Sequence, residues 1–139
     1  IRDRFSATTS IKVRYQETDK MGIVYHANYF TWLEVARVNL LEQIECPYRK
    51  LEESGYFLPV LSCSCEFKMP ARFDDLLSIE VSIPKVDQVR IQANYFVRKG
   101  EEILATAKTT HAFVNENGKV IRPPKVFKEQ MKKFKNNMI

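Results

Sequence analysis

The chain switches between two hydrophobic periods, and the switch points outline its elements. Ser10 to Glu17 alternates, with Ile11, Val13 and Tyr15 on one face and Lys12, Arg14 and Gln16 on the other, which predicts a strand. From Asn28 to Ile44, residues Phe30, Leu33, Leu40, Leu41 and Ile44 recur at helical spacing, while Tyr29, Trp32, Val35 and Ala36 fill most of the remaining circumference. A helix that is apolar nearly all round is expected to be buried. Its start falls at Asn28, whose side chain can accept from an unpaired first-turn N–H. Pro47 to Gly55 reads as a short second helix, opened by Pro and stopped by Gly.

The period then changes to two and stays there. Leu61, Cys63, Cys65, Phe67 and Met69 alternate with Ser62, Ser64, Glu66 and Lys68, and Leu77, Ile79, Val81 and Ile83 alternate with Ser78, Glu80 and Ser82. Val89, Ile91, Ala93, Tyr95 and Val97 form one face of a further strand. Lys99, Gly100 and Glu101 turn the chain, and Glu102 to Asn115 returns. Strand, buried helix, then four strands in hairpin succession predicts an α+β fold, an antiparallel sheet with one face wrapped around a helix. After Pro123 and Pro124, residues Phe127, Met131, Phe134 and Met138 share one stripe, with Lys128, Lys132, Lys133 and Lys135 mostly off it. Residues 125–139 therefore read as a basic amphipathic helix whose stripe packs on the body. A membrane-surface role would need a more hydrophobic face.

Length and composition narrow the class. With 139 residues, 45% hydrophobic and 28% charged, the chain suits one globular domain, 1–139, with no repeat or linker. No run approaches the roughly 18 apolar residues of a spanning helix, and Ile1 to Arg4 holds no apolar stretch of the signal-peptide kind. The expectation is a cytoplasmic protein without membrane insertion. The net charge of +5 is unevenly placed: residues 1–118 carry 15 basic and 16 acidic residues, and from Lys119 onward there are seven basic residues and one acid. A neutral body lacks the basic face that nucleic acid requires. The three cysteines, Cys46, Cys63 and Cys65, cannot all pair, and C-x-C with two histidines in the chain fits no usual zinc spacing. They read as reduced, small buried apolar residues with no metal site.

The stretch from Thr18 to Tyr29 (TDKMGIVYHANY) carries the chemistry. At the entry to the buried helix it brings together a carboxylate, Asp19, a glycine that permits close backbone approach, Gly22, and a helix N-terminus with free N–H groups. Such donors, at the positive end of the helix dipole, suit an oxygen that acquires negative charge in acyl transfer. Asp19 would stand opposite as base or nucleophile. An Asp just ahead of a helix also serves as a turn or capping residue.

This segment resembles the active-site signature of the 4-hydroxybenzoyl-CoA thioesterase family of hotdog-fold enzymes, most closely its bacterial Tol-Pal-associated acyl-CoA thioesterase branch. The matching residues are Thr18, Asp19, Gly22, Ile23, Val24, His26, Ala27, Asn28 and Tyr29, then Glu34, Ala36 and Arg37, with Pro70 to Leu76 and Arg122 to Pro124 further on. The resemblance implies a hotdog fold and an acyl-CoA thioesterase with no cofactor, CoA being part of the substrate. It implies Asp19 as catalytic base or nucleophile and the His26 backbone N–H as oxyanion donor. The His26 side chain either orients water and assists the leaving thiolate or fixes the loop. Gly22, Tyr25 and Asn28 are candidates for lining the substrate site. A homodimer or homotetramer with the site at the subunit interface is implied as well, as is a thioester carried on CoA or on acyl carrier protein. Glu34 is expected to pair with Arg37 one helical turn on, and His111 to be a structural histidine. Glu17, where many relatives have Asp, is expected not to touch the chemistry. The alternatives within the fold are a hotdog dehydratase, which a dehydration assay separates, and a non-catalytic acyl-CoA or acyl-carrier-protein binding module, which would release no thiol.

Overall fold

A computed structural model describes residues 6–136. The strands are β1 (Ser6–Lys12), β2 (Val60–Phe67), β3 (Leu76–Val86), β4 (Arg90–Lys99) and β5 (Glu102–Ala112). The helices are α1 (Asn28–Gln43), α2 (Tyr48–Glu53) and α3 (Lys125–Asn136). The strands form one antiparallel sheet in the order β1-β3-β4-β5-β2. One face of that sheet receives α1. Leu33, Ala36 and Leu40 from the helix, Ile44 just past its end, and Leu77, Ile79, Ile91, Tyr95 and Val97 from the strands are all buried in one cluster. This is the hotdog arrangement, and its driving force is removal of that apolar surface from water.

Three sequence expectations need correction. The first strand is Ser6–Lys12, and the chain has left the sheet by Tyr15, which is 75% exposed. The Glu17 carboxylate accepts the Arg14 N–H at 2.8 Å and Thr18 Oγ1 donates to the Tyr15 carbonyl, closing a 3-10 turn over Tyr15–Glu17 where alternation suggested a continuing strand. The second correction concerns β2. It pairs with β5 and not with β3, so the four later strands do not follow in hairpin succession. It is also an edge strand, and Leu61, Cys63 and Phe67 are exposed instead of core. Of the three free cysteines, only Cys46 is buried. Third, α1 is covered on one side only, leaving Val35 43% exposed and Val38 exposed with it.

The C-terminal stripe packs as expected. Phe127 is buried against Phe113, with ring centroids 5.2 Å apart, Met131 is buried beside it, and Gln130 donates to the Ile44 carbonyl at the end of α1. Met138 lies outside the described residues. Among the described residues no helix is long and apolar enough to cross a membrane.

His111, on β5, is 1% exposed. Burial, helped by the Arg37 charge, pushes its pKa down from 6.5 to about 4. Between those values the unfolded chain binds a proton that the folded chain does not. Stability should therefore fall as the pH drops from 6.5 toward 4. Thermal melts across that range should show a weaker slope in His111→Gln than in the wild type.

Candidate active site

Asp19 sits in a closed loop between the 3-10 turn and α1. Thr18 and Val24 pair across it, the Asp19 N–H donates to the Ile23 carbonyl at 2.8 Å, and the Gly22 N–H donates to the Asp19 carbonyl at 3.0 Å. Gly22 has φ of +80°, a conformation that side chains disfavour, so the tight return depends on glycine there. The loop rests on the Pro70 to Leu76 connection: Ile23 bridges Arg72, and the Val24 N–H donates to the Ala71 carbonyl at 2.8 Å. Asp75 braces that connection by accepting the Arg72 N–H at 2.9 Å and pairing with Lys99 at 3.0 Å. Burial raises the Asp75 pKa, but these partners outweigh it and hold the carboxyl below its usual range.

Glu17 fastens the loop to α1 from beneath. Its carbonyl accepts the Tyr25 N–H at 2.9 Å and Asn28 Nδ2 at 2.8 Å, and its carboxylate accepts the Trp32 indole N–H at 2.9 Å. The residue is only 6% exposed. Burial pushes its pKa up, yet the bonds from the Arg14 N–H, the Trp32 indole and the Arg14 guanidinium prevail and lower it below 4.5. This corrects the expectation for Asn28: Ala27 holds the N-cap position without a side-chain cap, and Asn28 donates to Glu17 instead of accepting from the helix.

The helix start also locates its free donors. The N–H groups of Asn28, Tyr29 and Phe30 bond to the carbonyls of Tyr25, His26 and Ala27 at 3.0, 3.2 and 3.3 Å. Among the described residues no hydrogen bond takes the N–H of His26 or Ala27. These two donors therefore sit just ahead of α1, at its positive end.

Asp19 and His26 line one open cleft, with Ile23, Tyr29, Phe67 and Met69 among its walls. Asp19 Oδ1 accepts the Met21 N–H at 2.9 Å, and no bond among the described residues engages Oδ2. Three aromatic rings, His26, Tyr29 and Phe67, stand among the walls, and Tyr25 lies outside them. Phe67 meets Tyr29 edge-on at 4.9 Å and His26 at 6.4 Å, and the exposed Tyr25 ring lies 4.5 Å from that of His26. Gly22 turns the loop without lining the cleft, and Asn28 is behind it. Sequence reading missed Phe67 and Met69, because their place in an alternating run matched a core strand. The one signal was proximity to the Pro70 to Leu76 connection. Glu34 and Arg37 form no ion pair; the guanidinium instead donates to Tyr95 Oη at 3.2 Å, since Arg37 points under α1 toward the sheet and Glu34 faces out.

The profile of the thioesterase-like superfamily matches residues 13–131. The chain belongs to that superfamily. YneP of Bacillus subtilis, named for acyl-CoA thioesterase activity, is 33% identical over 119 residues, which cover 84% of this chain and 86% of YneP. The acyl-CoA thioester hydrolase YbgC of Escherichia coli O157:H7 is 34% identical over 73 residues, 52% of this chain and 54% of YbgC. The crystal structure of a 4-hydroxybenzoyl-CoA thioesterase mutant with 4-hydroxybenzoyl-CoA superposes with a TM-score of 0.83 at 25% identity, covering 91% of this chain and 98% of that one. As a member of this superfamily the chain is a thioester hydrolase.

Proposed function

We propose that the protein hydrolyses acyl-CoA thioesters to a carboxylate and free CoA, using Asp19 and the backbone N–H of His26. One juxtaposition carries this reading: a carboxylate with an unengaged oxygen shares a cleft with a residue whose N–H is unbonded at the positive end of a helix. Asp19 Oδ2 either takes a proton from water as the water attacks the thioester carbon, or attacks that carbon itself to give a mixed anhydride that water then cleaves. In both routes the carbonyl oxygen gains charge, and the His26 N–H offsets it. Collapse of the tetrahedral intermediate expels the thiolate of CoA. These steps call on no cofactor. The His26 ring lines the cleft with the exposed Tyr25 ring beside it, while Gly22 and Asn28 hold the loop. Free cysteines fit a reducing, cytoplasmic setting.

The cleft is open in one chain, and we assign its closure to a second copy. Val35 and Val38 on α1 and Val60, Leu61, Phe67 and Met69 at or beside edge strand β2 are all exposed, an arrangement of apolar side chains that water does not favour. A homodimer formed there, alone or paired into a tetramer, would shield Asp19. Val35→Glu should leave the folded chain intact, since the side chain is exposed, but shift it to monomer by light scattering and abolish turnover with it.

A panel of short, branched and aromatic acyl-CoAs with colorimetric detection of free thiol tests the reading. Release of thiol from at least one class is expected. No release from any, with acyl-CoA still bound, would leave a binding module instead.

A further inference from the structure

Hydrolysis at Asp19 makes no use of the basic excess that follows Lys119, and a second recess lies where that basic segment meets the body. It opens between α2 and the start of α3 and measures about 410 Å³, against about 360 Å³ for the Asp19 cleft. Buried Cys46, Leu51 and Pro124 and half-buried Tyr56 line it. Local sequence places that tyrosine. α2 stops at the left-handed Gly55, with φ of +88°, and the Tyr56 N–H returns to the Leu51 carbonyl at 2.9 Å. The Tyr56 ring then meets Phe113 edge-on at 6.2 Å, which ties this wall to the core. Val126 completes the lining and is 49% exposed, although it precedes the buried Phe127 in α3.

The charges around this recess do not cancel within the chain. Glu45, Lys50 and Lys125 are the charged residues that line it. Glu45 is engaged from α3: its Oε1 accepts Gln130 Nε2 at 3.1 Å and lies 3.9 Å from Lys133 Nζ. Lys50 has no ion-pair partner among the described residues, and Lys125 reaches Glu129 only at 4.0 Å, with both side chains mostly exposed. Two cations are thus left facing an apolar recess. None of its residues lines the Asp19 cleft, and none belongs to the apolar face assigned to a second copy.

We propose that this recess is a second ligand site, which binds a free aliphatic carboxylic acid with its carboxylate at Lys50 and Lys125 and its chain along Leu51, Tyr56 and Val126. The volume lies within the roughly 300–1,000 Å³ of small-ligand sites, and apolar walls beside two cations match an anion with an apolar body. The lysine stems extend the apolar surface while their heads stay in water, ready to meet the carboxylate. An acid of this kind is also what thioester hydrolysis releases. That link rests on the proposed function, whereas the site itself requires no turnover.

The test is a titration of the wild-type protein with octanoate, and with 1-octanol as uncharged control, followed by backbone amide NMR. Octanoate should shift the Leu51, Tyr56 and Val126 signals saturably. Octanol should bind about tenfold more weakly, the effect of losing two exposed ion pairs. Lys50→Gln combined with Lys125→Gln should weaken octanoate by a similar factor, and both positions are exposed, so the fold should tolerate the change. Val126→Trp fills the recess from an exposed position and should abolish the shifts, with melting curves as a check on each variant. Octanoate shifts confined to Ile23, His26 and Phe67 at the Asp19 cleft, equal binding of octanol, or shifts that persist in Val126→Trp would overturn the proposal. Octanoate bound in this recess by a chain that releases no thiol from acyl-CoA would uphold the site and remove the proposed reaction, so the two failures are distinct.

Discussion

Asp19→Asn is expected to lower kcat for thioester hydrolysis by about 10²- to 10⁴-fold, the range typical of a lost general base, with KM little changed. The substitution separates chemistry from structure. Asn retains an oxygen that can accept the Met21 N–H, the one bond the Asp19 side chain makes among the described residues, so the closed loop should persist. What disappears is the carboxylate that would remove a proton from water or attack the thioester. Thiol release measured on the best substrate of the panel checks this, with circular dichroism confirming the fold. Undiminished turnover would remove Asp19 from the mechanism while leaving the superfamily membership untouched.

Glu17→Ala is expected to have the largest effect on stability. It leaves the Trp32 indole N–H and the Arg14 N–H without their acceptor, and each unsatisfied donor costs about 1–3 kcal/mol. A loss on the order of 2–5 kcal/mol should lower Tm by about 10–20 °C in a chain of this size. Glu17→Gln keeps one acceptor oxygen and should cost less. Because the folded pKa lies below the unfolded value of 4.5, the contribution is complete above about pH 4.5 and is lost as the pH falls through the lower, folded value. The wild type should therefore lose more stability on acidification through that window than Glu17→Gln does. Activity should fall with stability in the Ala variant, since the Glu17 main chain also holds Tyr25 and Asn28 at the helix entry. A variant as stable as wild type would mean that water replaces the carboxylate at no cost.

Much of this was legible in the order of residues, for a physical reason in each case. Period-two alternation in β4 marks a strand with one face on the core and one toward water, and the structure alternates buried and half-buried positions along it. The α3 stripe at Phe127, Met131 and Phe134 was equally readable, because only one face of that helix meets the body. The segment around Asp19 was readable because loop, glycine and helix start are neighbours in the chain. Alternation could not tell a central strand from an edge, and so β2 was read as core and its pairing with β5 was missed; pairing is a long-range choice that the strand's own residues do not encode. Nor could it end β1, since the turn at Tyr15–Glu17 depends on Glu17 bonding back to Arg14.

The sequence by itself determined the class of fold, the helix entry bearing Asp19 and His26, and the neutral body with a basic tail, because these depend on local period and adjacency. Only the tertiary structure decided which partners the charged groups find. It sent Arg37 to Tyr95 rather than Glu34, turned Glu17 inward to Trp32, and buried His111 beside Thr109 in the core. A side chain's partner is fixed by what the fold brings within about 3 Å of it, and that distance is set by elements far apart in the chain.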